Sequence, residues 1–445
     1  MKKGTLLSAL AACLIGGMMT PAAGRKAAPT IRVAPDRALV DEVISVSITG
    51  LSQGQAATVK ATLTDNHGIA WRSEAEFIAD RKGVVDLSKH APARGSYTGV
   101  DPMGLFWSMN IQPGQPESHA PAQTFLAPTT MKFELEVDGK TVNSAMLTRL
   151  YVAPGVKSLE ARDAGLVAKL YEPEKGGPHP GILVLGGSEG GIRSAEANAA
   201  LLASHGYAAL AVAYFGMEGL PQRLVGVPLD YLKKAIDWMG ARETIDRQRL
   251  AVFGGSKGGE LALLLASRFA VLKTVVAYVP SHVVWQGIGG DGSSWTYQGQ
   301  PVPYVPYKSV PGSRGADQPI SYMPLYLASL DDKEAVAKAT IPVEKINGPV
   351  LVISGKDDQL WPSSIMADLV VARLKENRHP YKFEHLAYES AGHAILTTYG
   401  PKTRSTGSAQ MNLGGQPAAN ARAQADSWPK ALAFLKDGLR NAGAR

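Results

Sequence analysis

The chain has 445 residues, of which 45% are hydrophobic and 19% are charged. This composition is typical of an ordinary globular protein, excludes collagen-like and largely disordered classes, and leaves room for two domains. The net charge is +7, but the basic residues are scattered and are not interleaved with aromatic residues. The sequence therefore favours a solvated basic surface and gives little support to nucleic acid as a partner.

The first 24 residues read MKKGTLLSALAACLIGGMMTPAAG, with a positive start, an apolar stretch and small residues at the end. This pattern predicts a secretory signal peptide over residues 1–24, and hence an exported protein, periplasmic or secreted. The alternative is that LAAC is a lipobox, which would make Cys13 a lipid anchor. The signal peptide is favoured because the apolar run continues beyond Cys13, where lipoproteins usually turn polar.

Cys13 is the only cysteine, so removal of the leader would leave a mature protein without one. We then expect no disulfide, no thiolate nucleophile and no thiolate metal site. Beyond the leader no apolar run is long enough to span a membrane. No metal ion or other cofactor is expected.

Residues 30–154 alternate apolar and polar side chains in short runs, as do strands with one face on a core and the other in water. Asp138-Gly139 lies between two such runs and predicts a type I′ hairpin turn. The predicted strands cover residues 43–48, 59–63, 131–137 and 143–152. Several strands at short spacing, without a helical pattern, predict an Ig-like β-sandwich domain over residues 25–155.

Beyond residue 155 the pattern changes to strands that alternate with helices. Continuous apolar runs such as Gly181–Leu185 suit strands that are buried on both faces. The predicted strands cover residues 181–185, 207–214, 250–253, 272–279, 350–354 and 381–388, and the predicted helices cover 195–205, 228–241 and 259–269. This alternation predicts an α/β fold over residues 156–445, in which a mostly parallel sheet carries helices on both faces.

Two segments contain G-x-S-x-G, the signature of a strained strand-turn-helix that exposes a nucleophilic serine: GGSEGG at 186–191 and GGSKGG at 254–259. We favour Ser256 over Ser188, because an α/β-hydrolase places several strands before the nucleophile and residues 155–180 look too short to hold them. A helix also begins directly after Ser256, whereas further glycines follow Ser188. The alternative is that Ser256 is a glycine-flanked turn serine.

The first glycine segment then suits a different role. An acyl-transfer oxyanion needs two N–H donors, one after the nucleophile and one from a loop that follows an earlier strand. Lys257 is the first expected donor, through its backbone, and Gly187 or Ser188 is the second. A flexible loop and a phosphate cradle are the alternatives, and the loop 186–191 itself contains neither of the phosphate motifs G-x-G-x-x-G and G-K-[ST].

A serine hydroxyl needs a general base that is oriented by a carboxylate, and in this fold the chain order is serine, acid, histidine. Asp358 and Asp357 both follow the predicted strand 350–354, and Asp358 is preferred as the acid because of its spacing from the preceding glycine. His393 follows the last predicted strand and is the expected base. Surface or packing roles are expected for the other histidines, which include His282, His379 and His385.

Residues 281–346 form a long insertion between two predicted strands and are rich in tryptophan and tyrosine. Long loops are usually functional or disordered, and the aromatic residues indicate order. We expect a lid or an acyl-binding wall over the active site. A packed surface excursion is the alternative.

The sequence resembles the family of acyl-CoA thioesterases and bile acid-CoA:amino acid N-acyltransferases over nearly the whole chain beyond the leader. The resemblance rests on an ordered set of motifs: GLFWSM at 104–109, GGSKGGEL at 254–261, IPVE at 341–344, GKDDQLW at 355–361, GH at 392–393, GGQP at 414–417 and QADSW at 424–428. It implies an N-terminal β-sandwich, a C-terminal α/β-hydrolase domain and a triad of Ser256, Asp358 and His393.

The resemblance also implies a reaction. The acyltransferase members carry cysteine at the position of Ser256, and a serine ester is readily resolved by water, so hydrolysis is expected rather than amide formation. The expected substrate is a small-molecule acyl thioester or ester. The alternatives are an exported carboxylesterase that acts on esters without CoA, because the leader would carry the enzyme away from CoA thioesters, and a binding protein that keeps the fold without turnover.

Overall fold

The computed structural model describes Met1 and residues 28–114, 125–162, 165–310, 319–396, 399–408 and 410–442. The predicted signal peptide and the alternative lipid anchor at Cys13 lie outside the described residues, apart from Met1. Within the described part of the chain, no helix is long and apolar enough to cross a membrane.

Residues 30–150 form two sheets. The strands are β1 (Thr30–Ala34), β2 (Arg37–Leu39), β3 (Ser45–Thr49), β4 (Ala56–Thr64), β5 (Ala70–Ile78), β6 (Val85–Asp86), β7 (Arg94–Gly95), β8 (Asn110–Ile111), β9 (Thr129–Val137) and β10 (Lys140–Leu150), with a short helix α1 (Gly104–Trp107) before β8. One sheet has the order β1-β3-β6, and the other has the order β2-β10-β9-β4-β5-β7, with β8 paired to β5. Apolar residues of both sheets share one core, in agreement with the predicted sandwich.

The hairpin between β9 and β10 has the predicted turn. Val137 pairs with Lys140, which leaves a two-residue loop. Asp138 has a φ of 52° and Gly139 a φ of 74°. Positive φ at both central residues is the property of a type I′ turn, whose twist matches that of the flanking strands.

The second part is built on an eight-stranded sheet. Its strands are β11 (Val156–Glu160), β12 (Ala168–Pro173), β13 (His179–Leu185), β14 (Ala208–Val212), β16 (Ile245–Gly255), β17 (Leu272–Tyr278), β20 (Val350–Gly355) and β21 (Phe383–Tyr388), and a small separate sheet holds β15 (Val227–Pro228), β18 (Trp295–Tyr297) and β19 (Gln300–Pro301). The order is β11-β12-β14-β13-β16-β17-β20-β21, and the pairs from β14 to β21 are parallel. The predicted mostly parallel α/β-hydrolase sheet is confirmed.

The prediction that residues 155–180 are too short to hold strands was wrong. They contain both β11 and β12, which pair antiparallel with each other. Among the described residues of this stretch, only Ala161, Leu166 and a few residues of β12 contribute buried apolar side chains. The sequence signal is therefore weak, and the choice of Ser256 must rest on local geometry.

Helices cover both faces of the large sheet. They are α2 (Arg193–Ser204), α3 (Leu229–Gly240), α4 (Lys257–Arg268), α5 (Met323–Ser329), α6 (Lys333–Ala339), α7 (Ser363–Glu376) and α8 (Pro417–Ala442). Side chains of β13 alternate between two cores: Leu183 and Leu185 face α3, α4 and α7, whereas Ile182 and Val184 face α2 and α8. This two-sided burial explains the continuous apolar run in the sequence.

The two parts of the chain are joined by a buried carboxylate. Asp41 follows β2, and its Oδ2 accepts hydrogen bonds from Trp428 Nε1 at 2.8 Å and pairs with His205 Nε2 at 2.6 Å. The hydrogen bond to Asp41 raises the pKa of His205 above its ordinary value of 6.5, because it favours the charged imidazolium.

This contact predicts a pH dependence of stability. Because the folded-state pKa of His205 is raised, its contribution is fully present below the unfolded pKa and is lost as the pH rises through the folded pKa. We expect wild type to be more stable than His205→Gln at about pH 6, and the difference to shrink towards about pH 9. Urea denaturation at both values measures it, and a difference that is independent of pH would contradict the prediction.

Candidate active site

Ser256 lies on a sharp turn between β16 and α4. Its backbone has φ 57° and ψ −124°, a conformation that residues other than glycine rarely adopt. Its N–H donates to the carbonyl of Tyr278 on the neighbouring strand at 2.9 Å. The side chain is half-buried at the carboxyl end of the sheet, where ligands of α/β folds bind. These are the features of a nucleophile elbow.

The glycines around Ser256 are required by close backbone approach. A Cβ on Gly254 would lie 2.1 Å from the carbonyl oxygen of Gly258, and a Cβ on Gly258 would lie 2.3 Å from that of Gly186. A Cβ on Gly259 would lie 2.8 Å from the carbonyl oxygen of Tyr278. The pattern GGSKGG therefore lets β16, α4 and the loop after β13 meet at the serine.

The structure brings Asp358 and His393 together. His393 Nδ1 lies 2.8 Å from Asp358 Oδ2. The Ser363 hydroxyl donates to the same oxygen at 2.6 Å, and Asp358 Oδ1 accepts the backbone N–H groups of Leu360 and Trp361 at 3.0 and 3.2 Å. Asp358 is only 1% exposed, so these donors replace its hydration and fix its carboxylate towards the imidazole.

Asp357, the alternative acid, has other partners. Its Oδ2 accepts the N–H of Gly415 at 3.1 Å, and its Oδ1 accepts the side-chain amide of Gln359 at 3.0 Å. Asp357 thus holds the segment that follows residue 413, while its neighbour bonds the histidine. The sequence could not separate the two, because their identical side chains differ only in the direction in which the turn presents them.

The segment that carries His393 packs on the elbow. The Leu396 side chain lies 2.5 Å from the position that a Cβ on Gly255 would take, directly beside Ser256. Among the described residues, no hydrogen bond joins the Ser256 hydroxyl to the His393 imidazole. Such contacts are commonly long in ligand-free enzymes and shorten when substrate is bound.

The predicted oxyanion loop also lies at the serine. A Cβ on Gly187 would lie 3.3 Å from the Cβ of Ser256, so this backbone faces Ser256. The N–H of Gly187, however, donates to Glu189 Oε1 at 3.0 Å, while Ser188 is exposed. Lys257 is the first residue of α4, where a backbone N–H has no partner within the helix. In this conformation the Lys257 amide is available to a substrate and the Gly187 amide is occupied.

Two residues that shape this loop were missed by the sequence reasoning. The hydroxyl of the fully buried Tyr214 donates to the carbonyl oxygens of Gly186 and Gly187 at 2.6 and 3.2 Å. Glu189 receives a second hydrogen bond from the Ser194 hydroxyl at the start of α2. Tyr214 is the last residue of a predicted strand and lies at the rim of the sheet. That position in the sequence could have indicated that Tyr214 lies near the site.

Comparison with known proteins identifies the family. The model of the acyl-CoA thioester hydrolase/BAAT N-terminal region matches residues 41–163, and that of the BAAT/acyl-CoA thioester hydrolase C-terminal region matches residues 227–441. Acyl-coenzyme A thioesterase 2, mitochondrial, of Mus musculus is 31% identical over 91% of this chain and 88% of its own length. The chain belongs to the acyl-CoA thioester hydrolase/BAAT family.

Two further relatives show that the family includes both thioesterases and an acyltransferase. Acyl-coenzyme A thioesterase 1 and bile acid-CoA:amino acid N-acyltransferase, both of Mus musculus, are each 30% identical to this chain. Each alignment covers 91% of this chain and 96% of the relative. The resemblance stated from the sequence motifs is confirmed.

In this family member, the residue after the elbow serine anchors a buried polar network. Lys257 Nζ donates to Glu260 Oε2 at 2.6 Å and to the Ser294 hydroxyl at 3.0 Å, and Trp295 Nε1 donates to Glu260 Oε1 at 2.7 Å. Burial lowers the pKa of Lys257 and raises that of Glu260, and each partner's charge opposes the shift. The network ties the insertion to the first turn of α4.

The insertion also reaches the histidine. Its described residues 281–310 and 319–346 include Trp285, whose ring centroid lies 4.8 Å from that of Tyr326. The Tyr326 ring is 5.6 Å from that of Trp361, and the Trp361 ring is 6.0 Å from His393. The insertion is therefore packed against the site, and a lid movement stays a prediction.

A second Ser-His-Asp set is present in this family member. The Ser354 hydroxyl is 2.7 Å from His385 Nε2, and His385 Nδ1 is 2.8 Å from Asp368 Oδ1. Ser354 is fully buried and lies within the strand β20. Burial closes the Ser354 hydroxyl to a substrate, and the surface or packing role expected for His385 stays a prediction.

A metal ion is usually held by several His, Cys, Asp or Glu side chains. Over the described ranges, no group of three or more His, Cys, Asp or Glu side chains is arranged to bind one.

The close approach at the elbow predicts a large penalty for Gly258→Ala. The new Cβ would lie 2.3 Å from the Gly186 carbonyl oxygen and 2.7 Å from that of Leu185, and neither backbone can yield cheaply. We expect a loss of about 3 kcal/mol in the free energy of unfolding. Gly240→Ala is the control, because its nearest neighbour would be 3.9 Å away, and a change within about 1 kcal/mol is expected. Equal effects in chemical denaturation would refute the steric argument.

Proposed function

We propose that this family member hydrolyses acyl-CoA thioesters through an acyl-serine intermediate. The observation that carries the proposal is the serine held at φ 57° on the elbow, on the same rim of the sheet as a histidine that is hydrogen-bonded to a buried aspartate. Family membership supports a thioester as the substrate. Ser256 is the proposed nucleophile, His393 the base and Asp358 the acid.

The proposed reaction has two displacements. His393 Nε2 removes the proton of the Ser256 hydroxyl as its oxygen bonds to the acyl carbon, and Asp358 stabilises the imidazolium. The tetrahedral intermediate collapses, the carbon–sulfur bond breaks, and the leaving thiol takes the proton from His393. Water then attacks the ester with His393 again as base, which releases the carboxylic acid and restores the serine.

Two backbone amides are proposed to hold the oxyanion. The N–H of Lys257 is directed by its place at the start of α4. If Gly187 is the second donor, the Glu189 carboxylate must first release the Gly187 amide. If Ser188 is the second donor, the exposed loop must rotate. We favour Gly187, because a Cβ built on its backbone would lie only 3.3 Å from the Cβ of Ser256.

Hydrolysis is favoured over acyl transfer to an amine. An oxygen ester is the expected intermediate at Ser256, and water resolves it readily, whereas the resemblance implies cysteine in acyltransferase members. The leader sequence supports a second candidate, an exported esterase that acts on compounds without CoA. Parallel assays on acyl-CoAs and simple esters, combined with cell fractionation, separate the thioesterase from the exported esterase. An exported enzyme that hydrolyses only CoA thioesters would contradict the esterase proposal.

Active-site labelling tests the nucleophile. We expect a fluorophosphonate probe to label wild type and to leave Ser256→Ala unlabelled, because only an activated serine attacks the probe. Ser354→Ala is the matched control, since it removes the serine of the buried Ser-His-Asp set, and it should be labelled like wild type. Absence of labelling in folded wild type, or persistence of labelling in Ser256→Ala, would contradict the proposal.

Paired substitutions test the acid. Asp358→Asn should lower kcat by about 10³ to 10⁴, because an amide cannot hold the histidine in the required tautomer or stabilise its charge. Asp357→Asn changes the same side chain one residue earlier, away from the imidazole, and should lower kcat less than about tenfold. Steady-state kinetics at saturating substrate measure both, and a larger loss in Asp357→Asn would exchange their roles.

A further inference from the structure

A cavity lies between the two parts of the chain. Its volume is about 380 Å³, within the range of small-molecule sites. One wall comes from the β-sandwich and α1, and the other comes from α2 and the segment after His393. The wall is mainly apolar, and includes Leu63, Trp71, Phe106, Met131, Leu201 and Leu396.

The cavity adjoins the elbow. Leu396 lines it and also packs 2.5 Å from the position of a Cβ on Gly255, so one side chain separates the cavity from the residue before Ser256. On the other side, Ser194 lines the cavity and bonds Glu189, which occupies the amide of Gly187. An acyl group attached to Ser256 could enter along either residue.

The charged groups in the wall do not make the cavity strongly polar. The terminal nitrogens of Arg149 donate to the carbonyl oxygens of Val40 and Glu42 at 2.7 and 3.1 Å. Asp65 accepts the indole N–H of Trp71 at 2.9 Å. Burial lowers the pKa of Lys402 to about 7, because desolvation disfavours its charged form. The surroundings suit a hydrocarbon better than an ion.

We propose that this cavity binds the acyl chain of the substrate, so that the β-sandwich helps to select the acyl length. The inference rests on the proposed function, because it takes the acyl group from Ser256. The acyl chain then passes Leu396 on its way from Ser256. The apolar walls of the sandwich and α2 bury the methylene groups of the acyl chain.

Burial predicts a specific dependence on length. Each methylene buried contributes about 0.8 kcal/mol, so kcat/KM should rise about fourfold per added methylene until the cavity is filled. Ala197 lines the cavity from α2 and is half-buried, so a larger side chain there shortens the space without removing a core residue.

The test compares Ala197→Phe with Ala372→Phe on a series from butanoyl-CoA to hexadecanoyl-CoA. Ala372 is also a half-buried helical alanine, but it lines a separate groove beside α7. We expect the kcat/KM of Ala197→Phe for butanoyl-CoA to stay within about twofold of the wild-type value. For the longest acyl chains that wild type prefers, kcat/KM should fall about tenfold or more. Ala372→Phe should keep the wild-type profile. The same profile in all three proteins would overturn the proposal while leaving the hydrolase function intact.

Binding provides a readout that does not depend on turnover. In the Ser256→Ala background, calorimetry with dodecanoic acid should show binding that Ala197→Phe weakens by at least about tenfold and that Ala372→Phe leaves unchanged. If no thioester is hydrolysed by wild type but this difference is found, the proposed function fails and the cavity assignment stands. Equal binding in the two variants would overturn the cavity assignment.

Discussion

The site depends on the close approach of three backbone segments: the end of β16, the first turn of α4 and the loop after β13. Glycines at 254 and 258 allow this approach, since a Cβ on either would lie within 2.3 Å of a carbonyl oxygen. Ser256 keeps its unfavourable φ because the surrounding packing leaves no alternative, and eleven of the twelve residues of α4 are buried. The same approach brings Ser256, the backbone amide of Lys257 and the glycine loop into one place.

The first turn of α4 also connects the elbow to the insertion. Lys257 is expected to supply an oxyanion amide through its backbone, while its side chain forms a fully buried ion pair with Glu260 that Trp295 completes. A buried ion pair adds little net stability, because its Coulomb attraction is offset by desolvation, yet the loss of one partner is costly. Its effect here is positional, since an error in the packing of β18 would shift the Lys257 amide beside Ser256.

Sequence patterns predicted those parts of the fold in which buried side chains follow a regular pattern. They also predicted the chain order of the candidate site residues. β13 and β16 read as continuous apolar runs, and the type I′ turn at Asp138 followed from its residue types. β11 was missed because four of its five residues are exposed at the edge of the sheet, which leaves no periodicity to detect. Sequence spacing does not encode the directions of hydrogen bonds. It therefore could not decide between Asp357 and Asp358, or predict the contact of Glu189 with the amide of Gly187.

The second set of Ser354, His385 and Asp368 shows why hydrogen bonding alone does not define a hydrolase site. Ser354 is hydrogen-bonded to its histidine, but it is fully buried within a strand, where a substrate carbonyl could not reach the hydroxyl. Its aspartate is largely exposed and so stabilises an imidazolium weakly, because water screens the interaction. At the elbow the relation is reversed: the serine is presented at the rim of the sheet, and the aspartate is buried and held by three further donors. Access for the substrate and preorganised electrostatics, rather than the resting hydroxyl contact, favour Ser256 as the reactive group.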